Sequence, residues 1–206
     1  VLALAFAYFC AVTGNYGIEF FLPSILKDWY NLKIGDITWL VMLPPIVALV
    51  AQLFVGWNSD RVHERRWHTI VPLIISMVML ALVPFTKGNL FLTITCFMVA
   101  FGGLKAYLPS FWSLPNLFLS GSAAAGSIGL INSLGNLGGF FGPAVLGKVE
   151  KITGSFVGGI YYLAVSVGVS VIVLFFIGLG GREKQPAPAA PPTRAGDPGR
   201  PSAAKA

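Results

Sequence analysis

Between Asn89 and Gly147 the chain carries one charged side chain, Lys105. A stretch like this cannot supply the solvated faces of a water-soluble fold, because those faces need charged groups at short intervals. Nor can it be a single helix, which at about 1.5 Å per residue would far outrun the thickness of a bilayer. The rest of the chain agrees. Charged residues are 11% of the total and hydrophobic ones 55%, where a soluble domain has roughly 25% charged. Soluble classes are thereby excluded. The 206 residues fit about six spans of roughly 20 residues with loops and a tail. The ~10-residue alternating strands of a membrane barrel are absent from the pattern, which predicts an all-α membrane bundle.

Gaps between charges place the spans at about 1–26, 37–57, 67–86, 90–118, 123–147 and 155–180. The long uncharged stretch breaks at Ser120-Gly121-Ser122. Residues 181–206 differ: six of 26 are Pro, seven are Ala and none is aromatic. Such a segment cannot bury a core and is expected to be a disordered tail. With six spans both ends lie on one side. That side carries eight Lys and Arg, including Arg61, Arg65 and Arg66, against five on the other. The bias puts the tail of this multi-pass protein in the cytoplasm, and the expected location is the inner (plasma) membrane. The net charge of +6 then reports orientation rather than nucleic-acid binding. The chain begins at Val1 inside an apolar run, without a charged signal region. The expectation is a fragment whose preceding part is missing.

Several polar groups interrupt the apolar spans. Asn132 and Asn136 stand one turn apart on one helix face, beside the overlapping G-x-x-x-G pairs Gly135/Gly139 and Gly138/Gly142, which allow close helix packing. Amides in lipid are costly unless they meet a partner helix or a cavity, so they act either as interhelical glue or as substrate donors. Trp112 and Ser113 lie between Pro109 and Pro115, where kinking frees backbone carbonyls. Trp112 is then a wall of a site or a core aromatic, and Ser113 a donor to substrate. Glu19 lies about seven residues, roughly 10 Å, from the outer end of the first span, and Lys105 about fifteen residues, roughly 22 Å, from the same face. The two could be a compensating pair, because the first and fourth spans are inverted-repeat equivalents that would both line a cavity; a depth mismatch of about 12 Å argues against direct contact, although a lysine extends about 6 Å. Lys105 suits attraction of an organic anion. Glu19 is the local candidate for a proton site, or else faces an outer vestibule.

At the end of the second span, Gly56 permits close helix approach, and Asp60, Arg61, Arg65 and Arg66 form a tight charged loop suited to latching helices. The fifth span ends similarly, with Gly147-Lys148-Val149-Glu150-Lys151. Copies three spans apart insert in opposite senses, which is the arithmetic of an inverted 3+3 repeat. His63 and His68 lack metal-ligand companions, and no nucleophile–base motif or phosphate loop is present. Neither an enzyme nor a metal or other cofactor is expected.

The pattern G-x-x-S-D-R-x-x-E-R-R at 56–66 resembles the second loop motif of the major facilitator superfamily. Tyr16-Gly17-x-x-Phe20-Phe21-Leu22-Pro23, Phe111-Trp112-Ser113-Leu114-Pro115 and, most specifically, Ile131-Asn132-Ser133-Leu134-Gly135-Asn136-Leu137-Gly138-Gly139-Phe140-Phe141-Gly142-Pro143 resemble its anion:cation symporter family. The resemblance implies that residues 1–180 are helices 7–12 of a twelve-helix transporter, with the six-helix N-terminal half as missing partner. It further implies alternating-access symport of a proton with a small organic anion such as a sugar acid, tartrate or aromatic carboxylate. Tyr16, Lys105, Trp112, Ser113, Asn132 and Asn136 are the candidate substrate contacts. Gly56, Asp60, Arg61, Arg65 and Arg66 are the candidate gate. The competing reading is a six-span channel subunit or membrane scaffold that oligomerises through its G-x-x-x-G faces.

Overall fold

The computed structural model describes residues 1–117 and 121–177; the predicted tail at 181–206 and the domain boundary at 180 lie outside the described residues. The described residues form helices joined by short turns, with no strand among them. Four stretches are long and apolar enough to cross a membrane on those grounds alone: Ile34–Val62, Arg66–Thr86, Leu90–Leu117 and Val157–Phe176. The first span is the continuous helix α1, Leu2–Tyr30. Its apolarity is diluted by Asn15, Glu19 and neighbouring small residues. The second is α2, Ile34–Val62, and the third is α3, Arg66–Leu82, extended by a 3-10 turn to Thr86.

The fourth and fifth spans are broken, for different reasons. The fourth comprises α4, Leu90–Ala106, then α5, Leu108–Ser113, and a 3-10 turn at Pro115–Leu117. Pro109 has no N–H to give the carbonyl of Lys105 one turn earlier, and Pro115 has none for Phe111, so the helix steps at each proline. The fifth comprises α6, Gly121–Asn136, and α7, Gly138–Thr153, interrupted at Leu137 inside a glycine-rich run. The sixth is α8, Val157–Phe176.

Packing follows a two-fold pattern. The principal contacts are α2 with α4 and α1 with α7, then α1 with α8 and α3 with α4, and α3 with α8. Exchanging each span with the one three places on maps this set onto itself, so the bundle is an inverted 3+3 repeat. The core lies where α1, α3, α4 and α8 converge, around Leu4, Ile18, Leu73, Phe97, Leu104 and Val167. Hydroxyls inside it bond to backbone carbonyls across helices. Ser76 Oγ donates to Ala100 O at 2.7 Å, Ser166 Oγ to Cys10 O at 2.9 Å and Ser170 Oγ to Ala7 O at 2.8 Å. Such bonds satisfy the groups where no water can.

Candidate functional site

Two ionisable side chains meet within the bundle. Lys105 Nζ lies 3.4 Å from Glu19 Oε2, which corrects the separation expected from depth. The cause is the length of α1. It continues to Tyr30 rather than stopping near Leu26, so Glu19 is about 16 Å from the outer end, and the remaining ~6 Å is within a lysine's reach. Asn15, one turn earlier on α1, donates from Nδ2 to the same carboxylate oxygen at 3.2 Å. Its own Oδ1 is buried without a hydrogen-bond partner. Lys105 Nζ also stands 5.0 Å from the centre of the Phe101 ring, a cation–π contact. The pair is not sealed: the Lys105 side chain is 28% exposed and that of Glu19 48%, so a third charged group can reach both.

Aromatic rings flank the pair along α1. Tyr16 stacks with Phe20 at 6.2 Å and covers Gly139, where an added Cβ would lie 3.1 Å from the Tyr16 ring. About two turns earlier on α1, Tyr8 meets Trp112 edge-on at 5.0 Å and stacks with Phe111 at 5.2 Å. It also fills the space over Gly135. Trp112 is therefore half-buried in an aromatic cluster. Ser113 donates its hydroxyl to Pro109 O at 3.1 Å, satisfying the carbonyl of its own kinked turn. What Ser113 keeps for a ligand is acceptor capacity, not the donor expected of it.

Asn132 and Asn136 are exposed and bonded to each other: Asn136 Nδ2 donates to Asn132 Oδ1 at 2.7 Å and to Asn132 O at 2.8 Å. The pairing leaves Asn132 Nδ2 and Asn136 Oδ1 for other partners. The neighbouring glycines are not exposed. A Cβ on Gly138 would lie 2.3 Å from Phe9 O, and one on Gly142 2.3 Å from Thr13 O. The G-x-x-x-G faces are thus spent inside the chain against α1, which removes the surface that the oligomerising-scaffold alternative relied on. Tyr16, Lys105, Trp112 and the glycines beside Asn136 all come to α1. The asparagines themselves do not touch the Glu19–Lys105 pair.

The charged loop resolves into separate roles. Arg65 pairs with Asp60 and also reaches Ser59 Oγ at 3.3 Å, while Ser59 Oγ donates to Glu64 O at 2.7 Å. Glu64 accepts from the backbone N–H groups of Trp67 and His68 at 2.8 and 3.2 Å, capping the first turn of α3. It is also 2.8 Å from His68 Nδ1, and His68 Nε2 is 2.9 Å from Asn58 Nδ2. Arg61 and Arg66 stand apart from the Asp60 pair. Arg61 lies over Trp57, and Arg66 donates to Phe175 O at 2.7 Å on α8. Gly56 lets α5 approach, with Pro109 Cβ 3.3 Å from where its own Cβ would stand.

Residue reasoning missed Asn15 and Tyr8, and it gave no role to Ser59 and Glu64, which it saw only as letters of the 56–66 pattern. Asn15 carried a signal, the i, i+4 spacing to Glu19; so did Glu64, an acid three residues before the N–H it caps. Tyr8 had none, because its role depends on which helices α1 meets. Among the described residues no cluster of His, Cys, Asp or Glu is built to hold a metal.

The family model described as Major Facilitator Superfamily matches residues 4–205. Two Agrobacterium vitis proteins named for tartrate transport are 38% and 36% identical over 177 and 179 residues. These alignments cover 84% and 86% of this chain but 40% and 39% of those proteins, so the chain spans about two-fifths of their length. The metabolite transport protein NicT of Pseudomonas putida is 34% identical over 147 residues, 71% of this chain and 34% of its own. Among solved structures, the Escherichia coli fucose:proton symporter FucP matches with a TM-score of 0.75 at 16% identity, over 84% of this chain and 42% of that one. That likeness is one of fold.

Proposed function

The chain belongs to the major facilitator superfamily, and from that premise we propose that it forms the C-terminal half of a proton-coupled symporter of small organic anions. The observation that carries the proposal is the open Glu19–Lys105 pair. An intramembrane lysine reachable from an aqueous face attracts a carboxylate. When a substrate carboxylate takes Lys105, Glu19 is released from the pair and is the group of this bundle proposed to carry the coupled proton. One anion and one proton would thus enter together, and Asn15 would hold the released carboxyl in place. Tyr16, Trp112, Ser113, Asn132 and Asn136 supply ring faces and amide or hydroxyl groups suited to a hydroxylated acid. The tartrate-named relatives make tartrate the first substrate to try.

Alternating access would come from rocking of this bundle against a second, six-helix one around a midplane site. The Asp60–Arg65 pair and the Gly56–Pro109 contact would close the cytoplasmic side, with the C-terminal tail also in the cytoplasm and the whole in the inner membrane.

The test is uptake of radiolabelled tartrate by proteoliposomes of the intact protein, with and without an inward proton gradient. The expected result is gradient-driven accumulation. Lys105→Ala should lower it about tenfold or more, and Glu19→Gln should keep tartrate exchange but lose accumulation. Uptake indifferent to the gradient, or unaffected by Lys105→Ala, would refute the proposal.

A further inference from the structure

Helices α2 and α3 are joined by a tight turn, yet they barely touch along their length. Both lie on α4 instead, and α4 meets them with adjacent glycines. A Cβ on Gly103 would lie 2.2 Å from Ser76 Oγ and 2.3 Å from Pro72 O, so α3 sits directly on the α4 backbone there. Gly102 beside it faces Val47 Cγ1 at 3.5 Å and Ala51 Cβ at 3.8 Å on α2. Between the two helices runs a furrow whose α4 floor is formed by Val99, Gly102, Gly103 and Ala106. Its deeper part, about 260 Å³, is lined by Val47, Ala51 and Ile75 among others; its part nearer the loop, about 240 Å³, ends at Asn58, Trp67 and His68. The two parts share Val55, Val71 and Pro72 and so form one channel-like groove. From Val47 to Asn58 is roughly 16 Å of helix, close to the ~15 Å hydrocarbon depth of one leaflet.

The two ends differ in chemistry. The deep part is aliphatic. The mouth carries amide and imidazole groups, with Trp57 and Trp67 exposed at 57% and 48% beside it, the residue type that settles at headgroup level. The charges there do not cancel. Asp60 is taken by Arg65 and Glu64 is held by backbone N–H groups and the His68 ring, whereas Arg61 and Arg66 have no carboxylate partner among the described residues, so the three arginines outnumber the two carboxylates. Arg61 rests on an indole ring and Arg66 on a backbone carbonyl. Neither arginine lines the furrow itself, but Arg61 stands three residues past Asn58 and Arg66 lies 5.9 Å from the Trp67 ring that does line it, so the excess charge nearest the mouth is positive.

We infer that this furrow is a binding site for one anionic phospholipid, with an acyl chain along the α4 glycines and the headgroup at Arg61 and Arg66. A groove one leaflet deep, apolar at the bottom and cationic at the rim, has the complementary form of such a lipid. None of the candidate substrate contacts lines it, so the site is separate from the Glu19–Lys105 face.

The experiment uses the intact protein in phosphatidylcholine vesicles containing a little phosphatidylglycerol with a photoactivatable diazirine in its acyl chain. Crosslinks are mapped by peptide mass spectrometry. They should concentrate at Val47, Ala51, Val55 and Val71. Excess unlabelled phosphatidylglycerol should reduce them about fivefold or more, and the same excess of phosphatidylcholine should not. Filling the furrow by Ala51→Phe, or separately by Val55→Trp, should abolish them, and Arg61→Gln should erase the headgroup preference. Labelling spread equally over Leu49 and Leu53 on the other side of α2 would overturn the inference. So would equal competition by phosphatidylcholine, or labelling unchanged in both filled variants. An absence of labelling would mean that protein rather than lipid covers the groove, and would overturn it too.

Discussion

Gly142 marks where two backbones touch: a methyl group there would press on the carbonyl of Thr13, not on a side chain that can swing away. Gly126, on the same span, would place its methyl group in open space. The same substitution should therefore have opposite consequences. Gly142→Ala forces α1 and α7 apart and should cost about 2 kcal/mol, in the range of overpacked cores. Gly126→Ala should be neutral or slightly stabilising through helix propensity. Thermal unfolding in detergent, followed by size-exclusion chromatography, distinguishes them. A melting temperature for Gly142→Ala equal to that of the parent would show that α1 and α7 do not approach so closely there. At this scale the fate of a residue depends on its neighbour more than on its type. Ser113 and Ser166 are both serines within apolar spans, yet one bonds to its own turn and the other to α1.

Helix ends are decided by single side chains. Glu64 accepts two backbone N–H bonds at the start of α3 and also engages His68. Glu64→Ala should fray the first turn of α3, at a cost of about 1 kcal/mol typical of a lost cap. Trypsin, added from the side of this loop, should then cleave after Arg65 or Arg66 several times faster than in the parent. Glu64→Gln keeps an acceptor and should fall between the two. Unchanged cleavage in Glu64→Ala would place the stability of the turn elsewhere. The opposite ends of these elements use another device. His63 closes α2 with a left-handed backbone, φ 53°, as Asn31 closes α1 at φ 49°, and each is followed at once by a change of direction.

The whole bundle makes a prediction about sidedness. An inverted repeat with three spans per copy sets the α2–α3 turn and the segment around Lys87 on opposite faces, whatever the orientation. In a cysteine-free background of the intact protein, a membrane-impermeant maleimide should label His63→Cys only from the cytoplasmic side and Lys87→Cys only from the outside. Labelling of both from one side would break the six-span arrangement. Reversed sides would preserve the fold and overturn the orientation inferred from the Lys and Arg bias.

What the linear chain determined by itself was everything that depends on the solvent. The sparsity of charge required a membrane. In a membrane only closed hydrogen bonding survives, so the segments had to be helices; charge gaps located four of them, and the Ser120-Gly121-Ser122 break divided the long uncharged stretch into the other two. The kinks at Pro109 and Pro115, the tight charged turn after Gly56 and the shared face of Asn132 and Asn136 were likewise legible, because they are local. The contacts that make the candidate site were not. Glu19 and Lys105 are separated by 86 residues, and whether they meet turned on four further residues of α1 beyond Leu26 that no charge gap could reveal. The glycine pairs announced close packing without naming the partner, and only the folded chain chose α1. The furrow between α2 and α3 exists because both helices settle on the same glycines of α4. Periodicity records which side of a helix avoids water, whereas in lipid every side does, so the choice of neighbour passes to shape, and shape belongs to the tertiary structure.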